Sequence, residues 1–271
     1  MRIHIRSAVL MFLLFVFSFS VWGKEWPDNP ANLLEPFGIG RSGYFRHGQS
    51  FKSKGQRIHS WSGGEVIWVS ESVPGDGLIV IQHDDGFRSS YRGVETRPDL
   101  EGHVFPGEWL GYAGGDSWLF EITDIQRSRI VNPISLLPSR EHVPPVTIGK
   151  VELVRGADHL ELENETVLSP GCWTVVLNHS PSSGLTAIPV EISLYWVGER
   201  IGSLRFDALG ESEEGTVMET PAPLGFQQIY NTSGELWFPG VILNAGKGTL
   251  ELRIRDELGR VVSRSWMLSV R

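Results

Sequence analysis

The sequence of 271 residues contains a single cysteine, Cys172. One thiol cannot form an intramolecular disulfide, so the fold must be held together by its packed core alone. Cys172 lies between Gly171 and Trp173 in an apolar stretch, and no histidine stands near it in the sequence to activate it. We therefore expect Cys172 to be a buried and chemically inert thiol.

Basic clusters and helical patterns are also missing. The chain has 24 Lys and Arg against 32 Asp and Glu, which gives a net charge of −8, and it contains no basic run. An acidic chain of this kind is a poor partner for nucleic acid or anionic lipid. No window has the periodicity of an amphipathic helix, whereas 31 Gly, 16 Pro and 10% aromatic residues favour short strands joined by turns.

A long hydrophobic run occurs only at the amino terminus. Arg2 and Arg6 precede an apolar stretch over residues 8–22, which has the length of a secretory signal core and is short for a membrane span of about 20 residues. Small residues just before Lys24 fit a signal-peptidase site. Residues 1–23 are therefore predicted to be a signal peptide, with an uncleaved anchor as the alternative. Cleavage would remove two positive charges and change the net charge from −8 to −10.

Proline-rich segments divide the rest of the chain. Residues 24–44 form a lead-in without periodicity, and residues 45–138 alternate β-type runs with glycine turns such as PGDG and HDDG. Residues 139–146 are predicted to be a linker, because two consecutive prolines cannot donate to a sheet ladder. Residues 147–271 alternate apolar and polar residues at period two, which predicts an immunoglobulin-like β-sandwich. The sequence is thus predicted to be all-β throughout.

The clearest single element is a hairpin that closes the chain. The runs LELRIRD and RVVSRSWMLSV flank a short loop that ends at Gly259, where a positive φ is expected. The sandwich half also contains several tryptophans, which we assign to its core rather than to a binding role. These are Trp173, Trp196, Trp237 and Trp266.

Four sequence blocks between residues 37 and 138 carry a family resemblance. In chain order they are GQSFKSKGQRIHSWSGGEVIWV, GLIVIQHDDGFRSSYRGV, VFPGEWLGYAGG and WLFEITDIQRSRIVNPISLLP. Together they resemble the LytM/lysostaphin-type zinc metallopeptidases, which are peptidoglycan endopeptidases. The last two blocks are similar to the family patterns V-x-x-G-x-x-I-G-x-x-G and H-x-H-F-E-I. The resemblance implies a LytM-type duplicated-hybrid-motif β-sheet domain over residues 45–138.

The zinc ligands of that family are the part of the pattern that this sequence lacks. Family members hold zinc through the His and Asp of H-x-x-x-D and the second His of H-x-H. By register these positions are Phe45, Gln49 and Leu119, and the two catalytic histidines fall at Gly93 and Ser117. Zinc in proteins is held by thiolate, imidazole or carboxylate groups. The resemblance therefore implies a chain without a metal, a cofactor or peptidase activity.

Two alternatives stay open for the chemistry. A rebuilt metal site would draw on His47, His83 or Asp116, and would make the protein an active metallo-endopeptidase of peptidoglycan. Histidines at such irregular spacing are more often exposed or hydrogen-bonded structural residues. In the other alternative, side chains fill the former groove and the protein is a purely structural component of the envelope.

Several residues map beside the former groove and are candidates to contact a ligand there. Alternation along strands favours a core position for most of the aromatic residues, but a groove that once held a glycan-peptide could keep aromatic platforms. The candidates are Phe45, Gln49, Trp61, Tyr91, Arg92, Ser117 and Trp118.

The predicted function is that of an exported, non-catalytic protein of the periplasm or cell envelope. Degenerate LytM-type domains activate peptidoglycan amidases or scaffold wall machinery as a family trait, and the resemblance implies a similar binding or regulatory role. The expected partner is peptidoglycan, a peptidoglycan hydrolase or another envelope protein. Neither nucleic acid nor a membrane span after signal cleavage is expected.

Overall fold

The structure is a computed structural model, and it describes residues 23–41, 43–52, 54–70, 75–177, 187–213, 215–220, 223–231 and 235–271. The predicted signal peptide at residues 1–23 lies outside this part of the chain except for Gly23. The regular structure is almost entirely β-strand, so the all-β fold class is confirmed. Among the described residues, no helix has both the length and the apolar character that a membrane crossing requires.

Short strands separated by glycine turns build the first half of the chain. At the HDDG turn, Gly86 has a φ of 85°, a left-handed conformation that glycine adopts without strain. The strands are β1 (Leu33–Glu35), β2 (Gly40–Arg41), β3 (Tyr44–Phe45), β4 (Gln49–Phe51), β5 (Arg57–His59), β6 (Gly64–Ser70), β7 (Leu78–Gln82), β8 (Phe87–Arg92), β9 (Val94–Thr96), β10 (Gly102–Val104), β11 (Trp109–Ala113), β12 (Trp118–Asp124) and β13 (Arg129–Val131). Two single-turn 3-10 helices cover Pro30–Asn32 and Pro133–Ser135.

Longer strands build the second half. The predicted closing hairpin is present, and Gly259 in its loop has a φ of 76°. The elements are β14 (Val151–Arg155), β15 (Asp158–Glu161), β16 (Thr166–Leu168), β17 (Gly171–Leu177), β18 (Pro189–Trp196), β19 (Glu199–Arg205), β20 (Ala208–Ser212), β21 (Gly215–Met218), β22 (Leu224–Gly225), α1 (Phe226–Ile229), β23 (Leu236–Leu243), β24 (Gly246–Asp256) and β25 (Val261–Val270).

A large antiparallel sheet dominates the first half. Its strands follow the order β10-β6-β7-β8-β12-β13, and β4 pairs with β12 on the edge that β13 also uses. Along β12, the side chains of Trp118, Phe120 and Ile122 are buried, and those between them are half-buried on the opposite face. A smaller sheet, β5-β11-β9, contributes Ile58 and Leu110 to the same apolar core. Burial of apolar area between the two sheets is the main force that holds this half together.

Two packed sheets form the second half. The orders are β15-β14-β17-β23 and β16-β25-β24-β18-β19, and all pairs are antiparallel except β16 with β25. Their inner faces share one core that includes Trp173 and Trp266, as expected for those two residues, whereas Trp196 and Trp237 are half-buried. This arrangement is a sandwich. Its assignment to the immunoglobulin-like type stays a prediction.

Strand pairing and packing both cross between the halves. β13 pairs with β20, so that β20, β21 and β22 extend the large sheet of the first half. Phe45 packs in the core of the second half, where its ring lies 5.5 Å from that of Phe226. The hydroxyl of Tyr230 donates to the carbonyl of Gly38 at 3.0 Å. The division into residues 45–138 and 147–271 stays a prediction, and β20, β21 and β22 of the second range lie on the sheet of the first.

The predicted linker at residues 139–146 is bound to the closing hairpin. Arg140 forms an ion pair with Glu257, and the two side chains are only 2% and 3% exposed. The guanidinium of Arg260 donates to the carbonyl of Val143 at 2.8 Å, and Val146 is buried in the second core. The segment turns at Glu141 and His142, where His142 has a φ of 60°, and it is anchored on both sides of its two consecutive prolines.

The prediction of a buried Cys172 is wrong, because the thiol is exposed. Cys172 follows Gly171 on β17 and precedes Trp173, which is buried in the sandwich core. Neighbouring residues on a strand face opposite sides of the sheet. The apolar stretch therefore buries the indole and turns the sulfur outward.

Candidate functional site

The seven candidate groove residues do not form one surface. Five are almost fully buried, with no more than 2% of each residue exposed: Phe45, Gln49, Trp61, Tyr91 and Trp118. The other two, Arg92 and Ser117, are exposed. A ligand at the protein surface would reach only these two without displacing the core.

The three residues predicted by register to replace the zinc ligands lie at three separate places. In the pairing of β4 with β12, Gln49 lies opposite Phe120, and Ser50 lies opposite Leu119. Residues directly opposite each other share a face, and neighbours along a strand alternate. Gln49 and Leu119 therefore point to opposite faces of the large sheet, while Phe45 belongs to the core of the other half. The structure does not bring the three together.

Gln49 does not provide a site for zinc. It is fully buried, and neither its amide oxygen nor its amide nitrogen has a hydrogen-bond partner among the described residues. An amide buried in this way costs about 1–3 kcal/mol of stability. Its carbonyl is a neutral donor, unlike the carboxylate that the family pattern has there. Together with Phe45 and Leu119, this donor set does not fit a zinc ion.

A hydrogen-bonded aromatic core lies behind the large sheet. The Tyr91 hydroxyl accepts from the backbone N–H of Trp61 at 2.9 Å. His83 is buried and uses both ring nitrogens: Nδ1 is 2.7 Å from the carbonyl of Gly63, and Nε2 is 2.8 Å from the Ser89 hydroxyl. Burial lowers the pKa of His83, which favours the neutral ring. With Nδ1–H donating and Nε2 accepting, the imidazole is a structural group.

Asp116 and His47, the other two residues of the alternative metal site, lie in different surroundings from His83. Asp116 is exposed and lies 3.6 Å from the ammonium of Lys54. His47 is half-buried, and burial lowers its pKa although the carboxylate of Glu211 acts in the opposite direction. Across the described ranges, no three His, Cys, Asp or Glu side chains lie close enough to hold a metal ion together.

The opposite side of the large sheet is accessible to solvent, and we name it the open face. It comprises the outward side chains of β6, β7, β8 and β12, and the pairing Trp68–Val80–Ser90–Glu121 forms one row across it. Trp68 is 60% exposed next to a register shift at Ile67. Further members of the open face are Arg88, Arg92 and Leu119.

The open face contains both charges and apolar area. Arg88 and Arg92 are exposed, and Leu119 and Glu121 are half-buried between the strands. Desolvation raises the pKa of the Glu121 carboxyl, and the charge of Arg92 partly offsets this effect. The face therefore presents an indole and two guanidinium groups to solvent on a rigid antiparallel sheet.

The sequence contained the signal for this face, although the candidate set combined both sides of the sheet. In FRSSYR, alternate residues of β8 have opposite environments: Ser89 and Tyr91 are buried, and Arg88 and Arg92 are exposed. Strict alternation along the strand would have separated Tyr91 from Arg92. Trp68 was not among the candidates, because alternation along strands favoured a core position for most of the aromatic residues.

Comparisons with known proteins match the two parts of the chain differently. A protein-family profile matches residues 145–271, which is 127 of 271 residues and less than half of the chain. No curated protein matches the sequence.

Solved structures similar to the chain include Csd3 from Helicobacter pylori, a zinc-containing peptidase from Vibrio cholerae, and the SpoIIQ–SpoIIIAH pore-forming complex. For Csd3 in its orthorhombic crystal, the identity is 21% over 44% of this chain and 36% of that chain, with a TM-score of 0.37. The peptidase is 20% identical over 37% of this chain and 36% of that chain, with a TM-score of 0.32. The matched chain of the complex is 16% identical over 44% of this chain and 92% of that chain, with a TM-score of 0.35. This chain thus spans about a third of the length of the first two, and TM-scores below 0.5 do not by themselves establish a shared family.

Proposed function

We propose that this chain is an exported, non-catalytic component of the cell envelope, whose LytM-like first half binds peptidoglycan or a peptidoglycan hydrolase. One observation carries the proposal. Phe45, Gln49 and Leu119, which by register of the family pattern replace the zinc ligands, offer only hydrocarbon and amide groups and lie on different faces and in different cores. In zinc peptidases the metal lowers the pKa of bound water to make the nucleophile. These residues do not fit that ion.

The binding surface of this proposal is the open face. Trp68 is 60% exposed and offers an apolar ring that suits the face of a sugar. Arg88 and Arg92 are exposed on the same face and offer guanidinium groups to carboxylates, which peptide stems of the cell wall carry. The buried aromatic residues support this sheet from behind and contact no ligand.

Co-sedimentation of the purified full chain with isolated peptidoglycan tests the proposal. Trp68→Ala and Arg92→Ala are each expected to weaken binding by about twofold to fivefold, since exposed aromatic and charged contacts contribute about 0.5–1 kcal/mol each. Phe105→Ala is the matched control, because Phe105 is 59% exposed but lies outside the open face. The purified chain is also expected to carry no stoichiometric zinc and to cleave no peptidoglycan.

Two results would contradict the proposal. Binding that is unchanged in both open-face variants would exclude this face as the binding surface. Zinc at about one ion per chain that is lost in His47 or His83 variants would support the metallo-endopeptidase instead, with a site that the described residues do not form.

A purely structural role is the second candidate, and a specific observation favours it. Trp61 and Trp118 fill the space behind the sheet, with Trp118 stacked on Phe51 at 4.9 Å between ring centroids. A protein of this kind would bind neither peptidoglycan nor a hydrolase in the same assay. Absence of binding by the unaltered chain therefore separates this candidate from the first.

A further inference from the structure

A slot runs between two strand edges in the second half. β19 is the last strand of the five-stranded sheet, and β23 is the last strand of the four-stranded sheet. A cavity of about 600 Å³ lies between them, and its walls include Gly202–Arg205 of β19 and Trp237–Pro239 of β23. Successive residues of a strand face opposite sides. A wall built from successive residues is therefore the edge of a strand, so the slot separates two edges.

β19 presents its edge to this slot without a partner. It pairs with β18 on one side only, and within the described residues no backbone hydrogen bond extends from 199–205 on the other side. Natural edge strands are usually protected by proline, lysine or a bulge. β23 has such protection, with Pro239 followed by Gly240 at a φ of 74°. The sequence of β19, ERIGSLR, has neither proline nor lysine, and its one such device is a bulge at Ile201, where the register with β18 shifts.

The walls of the slot are apolar where a side chain of an added strand would enter. Leu204 and Phe238 are buried at its base, and Leu224 and Trp237 are half-buried beside them. At Gly202, a Cβ would lie 2.4 Å from the ring of Phe238, so glycine leaves the room that the ring needs. At about 3.3 Å per residue, the seven residues of β19 offer an edge of about 23 Å.

One charged side chain in the walls of the slot has no counter-charge among the described residues. The acidic residues of its walls are each paired with an arginine: Glu191 with Arg255, Asp207 with Arg205 and Glu219 with Arg129. Arg200 is exposed in the wall and has no ion-pair partner among the described residues. A ligand that complements the slot would therefore carry a carboxylate near Arg200.

We propose that the edge of β19 accepts an extended peptide segment of a partner protein as an additional strand. Backbone hydrogen bonds to β19 would supply affinity, and alternate apolar side chains would enter the space beside Leu204 and Phe238. A carboxylate side chain of the peptide would pair with Arg200. This site lies on the sandwich, and it does not depend on the role of the open face.

Peptide selection against the full chain tests this site. Random seven-residue peptides displayed on phage are selected, and the enriched sequences are synthesised and titrated by fluorescence anisotropy. Enriched peptides are expected to alternate apolar residues and to contain Asp or Glu. They should protect from hydrogen exchange those backbone amides of residues 199–205 that do not pair with β18. The same peptides N-methylated at alternate positions should not bind, because they lack the N–H groups that pair with a strand edge.

Two charge reversals distinguish this site from the open face. Arg200→Glu is expected to weaken peptide binding about fivefold, the effect of one exposed ion pair, and to leave peptidoglycan binding unchanged. Arg88→Glu, an exposed arginine on the first half, should have no effect on the peptide. Either side chain is solvent-exposed, so both variants are expected to fold.

Several results would overturn the proposal. These are a failure to enrich peptides, equal binding of N-methylated peptides, equal binding by the Arg200→Glu chain, and protection that falls outside residues 199–205. The proposal would also be overturned if, without peptide, the hydrogen-exchange protection of these amides increased with protein concentration. A second copy of the chain would then occupy the edge.

Discussion

Replacing Arg140 with methionine removes the cation from an ion pair that is almost closed to water. The side chains of Arg140 and Glu257 are 2% and 3% exposed, and Arg140 Nε donates to Glu257 Oε1 at 3.0 Å. Without Arg140 the carboxylate stays buried with no counter-charge. Breaking a buried pair in this way typically costs about 3–5 kcal/mol. That is a large fraction of the roughly 5–15 kcal/mol by which domains are stable.

Urea unfolding followed by tryptophan fluorescence measures this cost, and a double-mutant cycle isolates the pair. Arg140→Met and Glu257→Leu should each be strongly destabilising, whereas the double variant should lose less than the sum of the two, because neither charge is then left alone. Lys54→Met is the control. Lys54 and Asp116 are 3.6 Å apart and 73% and 90% exposed, so breaking that pair should change stability by less than about 1 kcal/mol.

The pH dependence of the pair gives a second measure. Burial raises the pKa of the Glu257 carboxyl above its usual value, even though Arg140 lowers it. The folded chain therefore retains a proton at a pH where the unfolded chain has released it. The contribution of this group to stability falls as pH rises through the raised pKa. Arg140→Met should shift that decline to higher pH. Additive single variants, or a loss below about 1 kcal/mol for Arg140→Met, would refute the reasoning.

Three further predictions address other parts of the chain. The exposed Cys172 should react with a maleimide in the native protein to one label per chain, and reaction only after denaturation would contradict this. Gly48→Ala should cost about 1–3 kcal/mol in thermal unfolding, because its Cβ would lie 2.1 Å from the carbonyl oxygen of Phe120. Gly115→Ala meets nothing closer than 3.7 Å and should be nearly neutral. Burial lowers the pKa of His83 from 6.5, so stability should fall as pH drops below that value; urea unfolding of His83→Gln should lack this component.

Local chemistry was enough to predict an all-β fold, although it did not identify β1 and β2 within residues 24–44. Period-two alternation and glycine turns identified the strands around Gly86 and Gly259, where the backbone requires positive φ. Alternation along strands favoured a core position for most aromatic residues, and Trp61 and Trp118 are buried although both were also candidates for the groove. These features depend on a few neighbouring residues, which a sequence displays directly.

The candidate site was less accessible, because it depends on register. Gln49 and Ser50 are neighbours in the sequence, but only Ser50 shares a face with Leu119. A shift of one residue exchanges the two faces of a strand. An assignment by motif position cannot resolve that shift, whereas the pairing of β4 with β12 does. The same alternation at Cys172 reversed the expected burial of the thiol.

Long-range partners were also beyond the sequence pattern. Period-two alternation predicts that β13 and β20 are strands. It does not predict that they pair with each other across almost 80 residues. Proline content marked the linker as a boundary, and it gave no indication that Arg140 is buried against Glu257. Both contacts arise from the packing of the whole chain.

The pairing of β13 with β20 has a consequence for how this protein can be dissected or recombined. A shortened chain that stops at residue 146 would leave β13 of the large sheet without its partner strand β20, and it would remove the rings of Phe226 and Tyr230 that pack against Phe45. Exchange of the sandwich for a homologous module would fail for the same reason unless residues 208–225 were transplanted from the same parent. The two halves therefore depend on each other. Fusion points should be chosen to keep the pairing of β13 with β20 intact, rather than placed at the proline-containing linker.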